Sequence, residues 1–120
     1  MGLDQYAYVA SRANDDYNSR REIARWRKHP NLQGWMEVLW IRKTQDTADT
    51  FNGVELELSR QDIEQLEQDI INGSMADLQT TGFFFGNASD DYYREKDLQF
   101  IKDAKADLFF GLKVFYNSSW

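Results

Sequence analysis

A chain of 120 residues, 42% hydrophobic and 15% aromatic, is one domain's worth of sequence and too rich in apolar side chains for a disordered segment. The absence of cysteine excludes a disulfide framework, a thiolate zinc site, an iron–sulfur cluster and a cysteine nucleophile. The net charge of −6 is unevenly spread: residues 1–43 hold 8 Lys and Arg against 5 acids and the other 77 hold 6 against 15, which confines any nucleic-acid contact to the basic part.

Residues 3–9 read as a strand, rich in aromatic and β-branched side chains, with Tyr6 and Tyr8 sharing a face by the period of two. After the turn cluster Asn14-Asp15-Asp16, residues 19–28 read as a helix capped by Ser19. At 100° per residue it gathers Arg21, Arg25 and Lys28 on one side and Ile23 and Trp26 on another. His29-Pro30-Asn31 breaks that element, because proline disfavours a helical residue before it. A second helix from Asn31 carries the strongest periodic signal, Leu32, Trp35, Met36, Leu39 and Trp40.

Residues 44–52 are polar and read as a loop, and residues 54–58 alternate strictly, as a half-buried strand does. Ser59 caps a third helix with Asp62 three residues on, Ile63, Leu66 and Ile70 as its buried stripe, and Asn72-Gly73 as its stop. Residues 82–86, Gly-Phe-Phe-Phe-Gly, read as a short buried strand. Ser89-Asp90-Asp91 opens a last helix with acids where the helix dipole favours them. Its inner face is Leu98, Ile101, Ala104 and Leu108, Gly111 ends it, and residues 113–116 form a final strand. The expected architecture is a single α+β domain over residues 1–120, with about four helices packed on a small, mainly antiparallel sheet of three to four short strands.

Chemical motifs are sparse. His29 is the one histidine, and no nucleophile elbow accompanies it. The acids follow no EF-hand spacing, and Gly82 and Gly86 match neither a dinucleotide fingerprint nor a P-loop. No catalytic residue, metal site or cofactor is expected. The segment from Arg20 to Lys28 is the most unusual stretch: Arg20, Arg21, Arg25, Arg27 and Lys28 surround Trp26 and suit phosphate, nucleic acid or an acidic protein surface. The aromatic groups Phe109, Phe110, Phe115, Tyr116 and Trp120 must dock on the chain's own core or on another subunit. The N-terminus has neither the basic nor the apolar region of a signal peptide, and no run approaches the roughly 18 apolar residues of a membrane span. A cytoplasmic protein without membrane association is therefore expected.

Three stretches carry a resemblance: Met1-Gly2-Leu3-Asp4-x-Tyr6, Glu22-Ile23-Ala24-x-Trp26-Arg27-Lys28, and Gly82-Phe83-Phe84-Phe85-Gly86 followed by acids and Tyr92-Tyr93. Together they resemble a family of small proteins encoded by bacteriophages, including marine cyanophages. The chain departs from that pattern at Gln5, where Met is common, and at Arg25, where an aromatic is common. The resemblance implies an accessory protein expressed in an infected host cell, with no settled activity. Relatives often carry the label phosphoglycerate kinase, but this length leaves no room for that enzyme's second domain, and no glycine-rich nucleotide loop is present.

Two functional expectations follow. The first is a non-enzymatic binding or regulatory module acting on a host or phage macromolecule through Arg21, Arg25, Trp26, Arg27 and Lys28 or through Trp120, with a protein partner or self-association favoured over nucleic acid. The second is a small enzyme or small-molecule-binding protein for a phosphorylated metabolite. Its pocket would use Glu22, Arg25, Arg27 or Lys28 with Asp90, Asp91, Tyr92 and Tyr93.

Overall fold

Strand β1 (Asp4–Ala10) lies inside the sheet, and its alternating side chains face two different surroundings. Gln5, Ala7 and Val9 are buried on one face, while Asp4, Tyr6 and Tyr8 lie on the other. A computed structural model of the chain describes residues 3–10, 20–46, 48–72 and 90–119. Strands β2 (Arg21–Arg27), β3 (Leu56–Leu58) and β4 (Lys113–Ser119) complete a four-stranded sheet in the order β2-β1-β4-β3. Every neighbouring pair is antiparallel. Helices α1 (Pro30–Thr44), α2 (Arg60–Asn72) and α3 (Asp90–Phe109) supply the second layer. Ala7, Val9, Trp26, Leu56, Leu58, Val114 and Tyr116 from the sheet share one core with Leu32, Met36, Ile63, Leu66, Phe100 and Ile101 from the helices. The opposite, outer face carries Tyr6, Tyr8, Phe115 and Asn117, which pair across β1 and β4.

The α+β class and the antiparallel sheet are as expected, but the described residues hold three α-helices rather than four. The segment 19–28, expected as a helix, forms strand β2 over residues 21–27 instead. Arg, Glu and Ala favour a helix locally, yet hydrogen bonding to β1 and burial of Trp26 outweigh that preference. A bulge in β2 explains the misleading spacing. Ala24 pairs with Ala7 and Glu22 with Tyr8, which leaves Ile23 as an extra residue. Glu22 and Arg25, three apart, therefore share a face of the strand just as they would share a face of a helix.

The other elements follow their local signals. Pro30 occupies the first turn of α1, where its missing N–H costs nothing. The helix ends at Gln45, which adopts φ 59° and donates its N–H to the Ile41 carbonyl at 2.8 Å. The residues expected as a loop after it include a 3-10 turn, Ala48–Phe51. At the start of α2 the Asp62 N–H donates to Ser59 Oγ at 3.1 Å and the Ser59 N–H donates to Asp62 at 2.9 Å, a reciprocal cap. Gly111 closes α3 at φ 84°, a conformation that side chains with a Cβ disfavour. Gly73 and the expected strand 82–86 lie outside the described residues. Among the described residues, no helix is long and apolar enough to cross a membrane.

Candidate functional site

The outer sheet face is built around β1. Tyr6 and Tyr8 project from it, β2 contributes Glu22 and Arg25 opposite them, and β4 contributes Phe115 and Asn117. Tyr6, Tyr8, Arg20, Glu22, Arg25 and Asn117 line a depression of about 450 Å³, a size suited to a small molecule. The Arg25 guanidinium sits 4.9 Å above the Tyr6 ring and reaches Glu22 Oε1 through Nε and a terminal nitrogen at 3.4 and 3.3 Å. These are long contacts, and the Arg25 side chain is 65% exposed.

Arg20 is held differently. Its guanidinium lies 4.8 Å from the Phe115 ring and 5.4 Å from Tyr8, and it pairs with Glu55. The Tyr8 hydroxyl donates to that same carboxylate, and Tyr8 stacks on Phe115 at 5.7 Å. Arg20 thus forms a fixed wall, with its charge offset by Glu55.

Behind the sheet lies a buried polar network. Asp97 on α3 accepts from the Trp26 indole at 2.8 Å through one oxygen and faces His29 Nε2 at 2.8 Å through the other. Gln5 accepts the His29 backbone N–H at 2.9 Å and donates to the Tyr116 hydroxyl at 2.8 Å. That hydroxyl donates to Gln33 at 2.6 Å, and Gln33 donates to Glu37 at 3.3 Å. Tyr93 stacks on the His29 ring at 4.5 Å and donates its hydroxyl to the Arg27 carbonyl. Burial raises the Tyr116 phenol above its ordinary range despite the hydrogen bond from Gln5, and the charges of Glu37 and Asp97 add to the rise. His29 and Asp97 are buried, 0% and 1% exposed, which suits a packing role.

The residues singled out from sequence separate accordingly. Arg21, Arg25, Arg27 and Lys28 are exposed, with Arg21 reaching Asp107 on α3 at 3.3 Å. Trp26 is 1% exposed and packs edge-to-face on Phe100 at 5.1 Å, so its ring presents nothing to a partner. Tyr93 belongs to the buried network. The Tyr92 side chain and Trp120 lie outside the described residues, as do the side chains of Asp90 and Asp91. The outer depression therefore joins Glu22 and Arg25 of the expected pocket and leaves Arg27, Lys28 and Tyr93 out of it.

Sequence reasoning missed Asn117, which carried no signal, and Asp97, which looked like one helix acid among several. Gln5 did carry a signal: a polar side chain at an inward strand position, between Leu3 and Ala7. Among the described residues no cluster of three or more His, Cys, Asp or Glu is placed to hold a metal ion. No protein-family model matches the chain, and neither does any curated protein or solved structure.

Proposed function

We propose that this protein is a non-enzymatic binding module, a phage-encoded accessory factor acting in the cytoplasm of an infected cell, and that it engages an acidic segment of a partner protein through β2. The observation that carries this reading is the place of β2 at the edge of the sheet among the described residues, with Arg21, Arg25, Arg27 and Lys28 exposed. An edge strand offers unpaired backbone donors and acceptors to an extended segment, and cations beside it select an acidic one.

Beside this edge a groove of about 300 Å³ runs between β2 and α3, a mainly polar surface lined by Arg21, Glu22, Ile23, Asp103, Ala106 and Asp107. Ala106 also borders a second depression, lined by Arg60, Glu64, Lys105 and Phe109. Phe109 and Phe110 are 81% and 76% exposed, unusual for adjacent large aromatics on a monomer surface.

Capture from infected-cell lysate tests the reading. The wild-type chain should retain a stoichiometric protein partner, and the triple reversal Arg21→Glu, Arg27→Glu, Lys28→Glu should lower that retention at least tenfold. Equal capture by the reversed protein, or no stoichiometric partner for the wild type, would reject it.

A further inference from the structure

We infer that the depression on the outer sheet face binds a small organic phosphate ester bearing hydroxyl groups, the chemical class of a sugar phosphate. The inference concerns the face of the sheet and does not depend on the docking edge. Its first support is hydrogen-bonding capacity left unused at one place. Arg25 has five N–H donors and gives Glu22 only two long contacts, so most of its fork faces the depression and solvent. The Tyr6 hydroxyl and the Asn117 carboxamide make no hydrogen bond among the described residues, although these two residues are directly paired across β1 and β4.

The second support is the match between those groups and one ligand class. A phosphate monoester brings a charge of about −1.5 to −2 and three acceptor oxygens, enough to compete with Glu22 for the Arg25 guanidinium. The guanidinium lies over the Tyr6 ring, which keeps it beside the depression. Glu22, once partly released, is an acceptor for ligand hydroxyls, while Asn117 and Tyr6 both donate and accept. A carboxylate, a carboxamide and a phenol beside a guanidinium read a polyol phosphate better than inorganic phosphate, because the ligand hydroxyls gain contacts while Glu22 opposes either phosphate alike. The volume of about 450 Å³ accommodates such a molecule.

Titration calorimetry of the full chain with ribose 5-phosphate, ribose and inorganic phosphate tests the inference. The ester should bind with a dissociation constant below about 1 mM, and ribose and phosphate should each bind at least tenfold more weakly. Arg25→Ala should weaken the ester at least tenfold with an unchanged melting temperature, and Asn117→Ala should weaken it about fivefold, the value of one hydrogen bond. No binding of the ester at about 10 mM, equal binding of inorganic phosphate alone, or an Arg25→Ala protein that binds as the wild type does would overturn it. The triple reversal at Arg21, Arg27 and Lys28 should leave ester binding unchanged, which separates failure of this site from failure of the docking edge.

Discussion

Arg25 and Trp26 are neighbours in the chain, yet the Arg25 side chain is 65% exposed with contacts of 3.3 and 3.4 Å to Glu22, while Trp26 is 1% exposed and tied to Asp97 at 2.8 Å. The same strand thus serves two surfaces of opposite character. Facing the helices, the polar groups of Gln5, His29, Gln33, Asp97 and Tyr116 find partners in one another, because water is excluded and an unpaired group there is costly. Facing outward, Arg25, Tyr6 and Asn117 keep spare hydrogen-bonding capacity, which water satisfies at little cost until a ligand arrives. Near-saturation, with the buried Ser118 Oγ as an exception, marks the side that holds the fold, and spare capacity marks the outer face.

The largest expected effect breaks the inward side. Asp97→Ala leaves the Trp26 indole and the His29 ring buried without their acceptor, so unfolding by urea should show a loss of about 3–5 kcal/mol. The matching outward change, Arg25→Ala, should stay within about 0.5 kcal/mol, because an exposed ion pair adds little. Comparable losses from the two variants would erase the distinction.

Alkaline pH sharpens it next. The Tyr116 phenol is raised by burial, so above the ordinary tyrosine range the unfolded chain gives up this proton while the folded one retains it. Its contribution is fully present below about pH 10 and declines above that by about 1.4 kcal/mol per pH unit. Denaturation followed by circular dichroism from pH 8 to 12 should show that slope, and Tyr116→Phe should remove it. An unchanged slope in the variant would show that the phenol does not stay protonated in the folded protein.

A smaller loss than at Asp97, but larger than at Arg25, lies at a half-buried position between the two extremes. Burial works to raise the Asp62 carboxyl, but the hydrogen bond and charge of Lys43, with the backbone and hydroxyl of Ser59, outweigh it and hold the group below its ordinary value. Its contribution is therefore present at neutral pH and lost as pH falls below about 4 through the lowered value. Ser59→Ala should cost about 1 kcal/mol at pH 7, and Asp62→Asn should flatten the stability profile between pH 2 and 4. A flat wild-type profile in that window would contradict the pairing.

The sequence by itself determined the elements whose local chemistry and core pattern agree. Leu32, Trp35, Met36 and Leu39 marked α1, the Ser59–Asp62 cap marked α2, Gly111 marked the end of α3, and alternation marked β1 and β3. In each case propensity, period and burial point the same way, so the neighbourhood of the residue was enough. Only the tertiary structure decided β2, where a bulge at Ile23 gives a strand the spacing of a helix and pairing with β1 overrides local preference. The candidate site is legible only in part for the same reason. Arg25 and Glu22 stood out by composition, and Tyr6 and Tyr8 by their alternation. Their meeting with Asn117, more than 90 residues away along the chain, depends on the register of β1 against β4. That register, and the burial that turned Trp26 inward against Asp97, are set by long-range packing of sheet on helices, which no local window of sequence contains.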